Sequence, residues 1–224
     1  MWDSRIHVCK PFEIPQDWLR FRAMDWGSYH PYSVGWYAVD FDGKSYRYRE
    51  LYGYGGKPNV GTKETAKEVA LKIAAMEKKE QIAYGVLDNA CWNSSGTTGP
   101  TIAEEINKTL FEKGRPPFRQ SEKGREHGAE QFRIRLTGYK DKEGKQIPGL
   151  VFFDTCVHAI RTIPMLTHDK HSPEKYDTSG EDHIADEIIY SLLSRPWKPE
   201  KPKPEEKKDG WRQDRTEKIS WMAY

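Results

Sequence analysis

Three aspartates stand where the residue pattern changes from one element to the next. Asp25 closes the run Phe21-Arg-Ala-Met-Asp25, just before Gly27. Asp88 follows the run Ile82 to Leu87. Asp186 lies in Glu181-Asp182-His183-Ile-Ala-Asp186-Glu187. Carboxylates brought together repel one another and are tolerable only with divalent cations between them. Oxygen ligands suit Mg2+ or Mn2+ rather than zinc. Two such ions roughly 3.5–4 Å apart serve in-line phosphodiester hydrolysis, one activating water and the other stabilising the leaving oxygen. Asp182 and His183 share the polar arc of Asp186, since positions three and four apart lie on one helix face. Each aspartate also has a plain structural reading. Asp25 could cap a turn, Asp88-Asn89 could form an Asx-turn, and Asp182 and Asp186 could simply complement a helix N-terminus. The residues by themselves therefore support a candidate metal site.

The elements that must position these groups alternate between strand and helix patterns. Residues 1–20, broken by Pro11 and Pro15, read as an extended lead-in. Phe21 to Gly27, Val34 to Phe41 and Ser45 to Tyr54 read as a three-strand meander, with Asp42-Gly43 as a two-residue turn. Thr62 to Glu80 is a helix with Val69, Ile73 and Met76 on its apolar face. Thr62 is its candidate cap, and the capping pattern Thr65-x-x-Glu68 lies nearby. Ile82 to Leu87 and Leu150 to Phe153 read as buried strands, Thr101 to Lys113 as a second helix, and Gln120 to Leu136 as a basic helical stretch. Val157 to Leu166 is a short helix or turn. Asp177 to Ser194 is the last helix, with Thr178-x-x-Glu181 as a capping box and Ile184, Ile188 and Leu192 as its core stripe. Strand ends and helix starts meet at the C-terminal edge of a mixed sheet, where α/β folds place ligands. The expected fold is α/β, a mixed sheet flanked by helices.

Composition narrows the class. Of the 224 residues, 31% are charged and only 36% hydrophobic, with mean hydropathy −0.88, so a core is surrounded by much solvated surface. The 36 basic and 34 acidic residues leave a net charge of +2, so polyanion binding requires a local basic face. Cys9, Cys91 and Cys156 form no CxxC, which fits a reducing compartment and argues against a disulfide framework. No apolar run is long enough to span a membrane, and no signal peptide is seen. After Arg195 the chain turns rich in Pro, Lys and Glu. Residues 198–224 are expected to form a solvated tail, with Trp211 and Trp221 as possible docking residues.

Several strings together resemble one family. Phe12-Glu-Ile-Pro-x-x-Trp18-x-x-Phe-Arg-Ala-Met-Asp25-Trp-Gly27 is similar to the start of the nuclease domain of bacteriophage large terminase subunits. So are Trp36-Tyr-Ala-Val-Asp-Phe-Asp-Gly43 and Tyr48-Arg-Glu-Leu-Tyr52. Gly85-Val-Leu-Asp88-x-x-x-Trp92 resembles the second acidic strand of that family, and Glu181-Asp-His-x-x-Asp186-Glu its C-terminal acidic helix. Gly124-Arg-Glu-x-Gly128, Phe153-Asp-x-Cys156 and Arg161-Thr-Ile-Pro164 match as well. The colinear order across residues 10–197 is what makes the resemblance specific.

The resemblance implies an RNase H-like mixed β-sheet flanked by helices over residues 21–197, and a two-metal endonuclease that cuts concatemeric double-stranded DNA during viral packaging. Asp25, Asp88 and Asp186 would be catalytic metal-binding carboxylates using Mg2+ or Mn2+, with His183 or Asp182 as the further ligand. Implied partners are double-stranded DNA, the terminase ATPase domain, the small terminase subunit and the portal. The implied setting is the host cytoplasm at the procapsid. One departure matters. There is no GxxxxGK[ST] phosphate loop, and in the nearest string, Gly53-Tyr-Gly-Gly-Lys57, the lysine precedes Pro58. The chain is therefore expected to be a nuclease domain without its motor.

Lys123, Arg125, Arg133 and Arg135 form the densest basic stretch before the tail and are candidate phosphate contacts, balanced by Glu122, Glu126 and Glu130. Glu50 reads first as a solvated strand-edge residue and second as a supporter of the metal site. His168-x-x-His171 has metal-like spacing but no third ligand nearby. Tyr29, Tyr32, Tyr52 and Tyr54 could stack on bases, though packing is their commoner use. Two other classes stay open: another RNase H-like nuclease acting on junctions or RNA–DNA hybrids, and a non-enzymatic domain that docks on the packaging motor.

Overall fold

Alternating side chains near the start of the chain build the middle of a sheet. The structure, a computed structural model, describes residues 2–94, 99–167, 169, 176–177 and 180–195. The 198–224 tail, His168, His171 and Thr178 lie outside the described residues. In chain order the elements are α1 (Ser4–His7), β1 (Val8–Cys9), β2 (Leu19–Asp25), β3 (Ser33–Val39), β4 (Ser45–Tyr52), α2 (Ala66–Met76), β5 (Gly85–Leu87), α3 (Ile102–Glu112), β6 (Phe118–Gln120), α4 (Arg125–Thr137), β7 (Tyr139–Lys140), β8 (Gln146–Ile147), β9 (Leu150–Phe153), α5 (Val157–Thr162) and α6 (His183–Leu193). Seven strands form one mixed sheet in the order β1-β9-β4-β3-β2-β5-β6, while β7 and β8 make a separate hairpin. The pairs β2–β3 and β3–β4 are antiparallel and the other neighbours are parallel. Every strand of the sheet except β3 therefore runs toward the same edge.

Pleat alternation sorts the central side chains between two helical layers. Arg22 and Trp36 face α2, where both bond to Glu77. Phe21 and Tyr37 stack on each other on the opposite face, where the Tyr37 hydroxyl donates to Glu187 of α6. Asp25 shares the parity of Phe21 and so emerges on the α6 side. Thr65 and Glu68 cap α2 reciprocally, and Thr101 and Glu104 do the same for α3. The α6 stripe of Ile184, Ile188 and Leu192 is fully buried.

Several boundaries differ from the sequence reading. Residues 4–9 are not an extended lead-in. Asp3 caps α1, and Val8 and Cys9 pair with Phe152 and Phe153 as an edge strand. α2 starts after Thr65 rather than at Thr62. The 40–44 turn is wider than two residues, because the Asp40 carboxylate accepts from the amides of Asp42 and Lys44, and Gly43 takes the left-handed backbone that closes it. α6 begins at His183 rather than Asp177, with Asp182 at its N-cap, while Glu181 is held outside it by Arg161. β6 went unread because three residues after Pro117 carry little periodic signal. Among the described residues no helix is long and apolar enough to cross a membrane.

Candidate metal centre

The first two aspartates meet because their strands are neighbours in register. β2 and β5 are parallel, Met24 pairs with Leu87, and the Asp88 amide donates to the Met24 carbonyl at 3.2 Å. Each chain then leaves the sheet, so Asp25 and Asp88 sit side by side at the C-terminal edge. β6 lies beside β5. After it, the Ser121 amide donates to the Leu87 carbonyl, and the Ser121 hydroxyl accepts from the Asn89 side-chain amide at 3.0 Å. The chain then rises through Lys123 and Gly124 into α4. α6 packs on β2, β3 and β5 and brings its first turn to the same edge.

Polar contacts define the centre. His183 Nδ1 is 3.2 Å from Asp25 Oδ2, and the Tyr190 hydroxyl donates to Asp88 Oδ1 at 3.3 Å. One nitrogen of Arg125, Nη2, sits 2.8 and 2.9 Å from the two Asp186 oxygens and 3.0 Å from Asp182 Oδ2. Burial, with the charges of Asp88 and Asp182 and against the His183 bond, raises the Asp25 carboxyl to about 6. Burial, and then the charge of Asp25, raises Asp186 to about 7 against the opposing pull of Arg125. Burial pulls the His183 imidazole down, but its bond to Asp25 and the surrounding acidic charge outweigh this and leave it raised. Negative charge is crowded into a poorly solvated place, the condition under which a divalent cation is favoured. A cavity of about 220 Å³ opens beside it, lined in part by Asp88, Lys123, Arg125, Asp186 and Tyr190.

A second polar network sets the rotation of α6. Glu187 is fully buried. It accepts from Tyr37 at 2.6 Å, from Arg47 Nη2 at 2.8 Å and from Ser33 at 3.2 Å. Arg47 also binds Glu50, whose carboxylate accepts from the backbone amides of His158 and Ala159 at the start of α5. Glu50 is therefore neither solvated nor a metal ligand candidate. A Cβ on Gly35 would strike the Glu187 carboxylate, so the glycine makes room for it. A Cβ on Gly128 would strike Ile189, so that glycine lets α4 lie close to α6 and carries Arg125 to the acidic turn.

The expected basic face divides. Lys123 is exposed at the cavity, and Arg125 is on the carboxylates while its side chain stays 41% exposed. Arg133 is half-buried beside a different, largely apolar cavity lined by Trp2, Phe132 and Tyr176. Arg135 corrects the expectation. It is 2% exposed and donates to the Ser45 hydroxyl and to the carbonyls of Gly43 and Arg195, which leaves no surface for a phosphate. Among the tyrosines, Tyr32 is buried with its hydroxyl on Glu64, Tyr52 bonds Glu181, and Tyr54 lies under the Arg161 guanidinium, whereas Tyr29 is exposed.

Two contributors were missed. Tyr190 lies one turn beyond Asp186, and its i+4 spacing was available as a signal. Asn59, between β4 and α2, accepts from His183 Nε2 at 2.8 Å, and no local pattern announced it.

The donor set suits a hard divalent ion: carboxylates of Asp25, Asp88 and Asp186, with one imidazole behind them. As the side chains stand, no three His, Cys, Asp or Glu residues among the described ones close on a single point. Asp182 and Asp186 both turn to Arg125.

A mixed sheet of this order, with helices on both faces and acidic groups at its C-terminal edge, is an RNase H-like α/β fold. More narrowly, it is the fold of large terminase nuclease domains. The whole large terminase of a thermophilic bacteriophage aligns over 87% of this chain with TM-score 0.64 and 16% identity, but over only 44% of its own length, so the chain spans less than half of that protein. The P22 large terminase nuclease domain aligns over 87% of this chain and 90% of itself, with TM-score 0.62 and 17% identity. The large terminase nuclease of the thermophilic phage G20c, solved with bound cobalt, aligns over 85% and 94%, with TM-score 0.51 and 11% identity. No protein-family model matches the chain, and no curated protein matches it in sequence.

Proposed function

We propose that the chain is a metal-dependent DNA endonuclease of a viral genome-packaging terminase, cutting concatemeric double-stranded DNA by two-metal hydrolysis. The observation that supports it best is the meeting of Asp25 and Asp88, on adjacent parallel strands, with the His183–Asp186 turn of α6. Asp25, Asp88 and Asp186 would hold the ions, and His183 would add a nitrogen beside Asp25. Asp182, which shares Arg125 with Asp186, is the alternative further ligand. Bound there, Mg2+ or Mn2+ would supply activated water and charge neutralisation at the leaving oxygen. The cobalt in the G20c nuclease favours a divalent ion at such a fold.

The chain's own groups do the rest. Tyr190 orients Asp88, the Arg47–Glu187 pair fixes the turn that carries Asp186, and Lys123 and Arg125 stand where a phosphodiester would enter. Backbone contacts of this kind bind duplex DNA with little base readout and weaken with salt. The proposed setting is the host cytoplasm at the procapsid portal, where the ATPase domain and small subunit of a terminase would be partners.

Plasmid cleavage in Mn2+, Mg2+ or EDTA tests the reading. Metal-dependent linearisation is expected for the wild type and is abolished in Asp25→Asn and in Asp186→Asn. Equal cutting in both variants would show the site to be misplaced. Preference for a four-way junction or an RNA–DNA hybrid over linear duplex would move the chain to another RNase H-like activity.

A further inference from the structure

Asn59 has φ 59°, a left-handed backbone that a side-chain-bearing residue adopts rarely and asparagine most readily. Such conformations persist where the surrounding structure over-determines them, often at functional sites. Here the surroundings are two crossed loops. The Gly61 amide donates to the Tyr29 carbonyl at 2.7 Å, the Lys63 amide to Ser28 at 2.9 Å, and Gly55 to Val60 at 2.7 Å. An added Cβ on Gly61 would collide with the Ser28 and His30 carbonyls across this crossing, and one on Gly27 or Gly55 with backbone of its own loop. The result holds Asn59 over the first turn of α6, with His30 Nδ1 3.3 Å from both its backbone carbonyl oxygen and its Oδ1.

Its side-chain oxygen meets His183 Nε2 at 2.8 Å, while Nδ1 of the same ring points at Asp25 Oδ2. A carbonyl oxygen can only accept, so Nε2 carries the hydrogen. With Nε2 held by Asn59, Nδ1 is the ring atom left to share a positive centre with Asp25 at 3.2 Å, a proton while the ring is charged and a cation when one is bound. We propose that Asn59 is a positioning residue that fixes the His183 ring so that Nδ1, and not Nε2, is presented with Asp25 to a divalent cation. The inference rests on the metal-nuclease reading and deepens it. Partners of this kind, bonded to the far nitrogen of a ligating histidine, typically change metal affinity by about 10- to 100-fold.

Asn59→Gly is the informative variant, because glycine adopts the left-handed backbone without strain and removes only the side chain. Asn59→Asp keeps the acceptor and tolerates the same backbone. Mn2+ affinity read by electron paramagnetic resonance, together with 15N shifts of His183 in metal-free protein, should give three results. Where its imidazole is neutral, the wild type shows the Nε2–H tautomer. Asn59→Gly loses that preference and binds Mn2+ about tenfold more weakly at unchanged melting temperature. Asn59→Asp restores both. An Nδ1–H tautomer in the wild type, or Asn59→Gly indistinguishable from it, overturns the inference and leaves the nuclease reading standing. Failure of the wild type to bind Mn2+ at all overturns both.

Discussion

Arg47 and Glu187 lie 2.8 Å apart with neither side chain exposed to solvent, one on the sheet and the other next in sequence to Asp186. Burial raises the Glu187 carboxyl above its ordinary value, against the charge of Arg47 and the hydroxyls of Tyr37 and Ser33. The pair therefore stands on mutual compensation. Glu187→Ala should leave a buried guanidinium half-compensated and cost about 3–5 kcal/mol. Glu187→Gln, which keeps the shape and part of the hydrogen bonding, should cost less. Urea denaturation of the two variants checks the order; equal stability for Glu187→Ala and wild type would show that the pair does not hold α6.

The acidic centre should make metal-free stability depend on pH. The carboxyls of Asp25 and Asp186 rise from 3.8 to about 6 and about 7 on folding. The native state then binds protons more tightly than the unfolded one, so stability falls as pH climbs from about 4 to 7, and the penalty is complete above the folded values. A pKa unit is worth about 1.4 kcal/mol, so the two coupled groups together are worth on the order of a few kcal/mol. In EDTA, Asp25→Asn should melt higher than wild type at pH 8 and no higher at pH 4. Mn2+ should raise the wild-type melting temperature at pH 8 far more than at pH 4. Scanning calorimetry at the two pH values reads both, and a variant-to-wild-type difference independent of pH would contradict the assignment.

Lys123 and Arg135 should behave oppositely. Lys123→Ala removes an exposed charge beside the cavity, so stability should stay within about 0.5 kcal/mol of wild type. DNA affinity should fall, and the salt slope of binding should drop by about one. Arg135→Ala strips the Ser45 hydroxyl and several carbonyls of a buried donor, so it should destabilise by about 1–3 kcal/mol. The DNA affinity of its folded fraction should be unchanged. Denaturation paired with binding at two salt concentrations separates them, and a reduced salt slope in Arg135→Ala would put Arg135 back among the phosphate contacts.

Gly128→Ala sets two effects against each other. Alanine favours a helix by up to about 1 kcal/mol over glycine. Forcing a methyl against Ile189 costs typically about 1–3 kcal/mol. Crowding should win, so the single variant loses stability, and Ile189→Leu in the same chain, which removes the Cγ2 methyl that the new Cβ meets, should recover part of it. A more stable Gly128→Ala would mean that α4 and α6 have room to spare.

The part of the fold written in periodicity was legible. The α6 stripe, the three central strands and the acidic strand end at Asp88 all declare themselves through apolar spacing, and the three aspartates fall where elements change. What was not legible depends on tertiary partners. Arg135 and Lys123 look alike in sequence, yet one is buried under the carbonyls of distant loops. Glu187 resembles any polar helix residue until Arg47, Tyr37 and Ser33 surround it. Asn59 is placed by a loop crossing that no local pattern encodes, and Val8–Cys9 are a strand only because β9 offers an edge.

Asp25 and His183 touch across 158 positions of sequence. During synthesis at about 5–20 residues per second, on the order of ten seconds or more passes between the appearance of one and the other. A nascent chain with β2, β3 and β4 already paired therefore holds one of the three aspartates, Asp25, without the others. Local loosening of α6 would draw His183 and Asp186 away from Asp25 and Asp88 while the sheet stays intact. On the proposed function, cutting would in this sense report that the chain has finished folding.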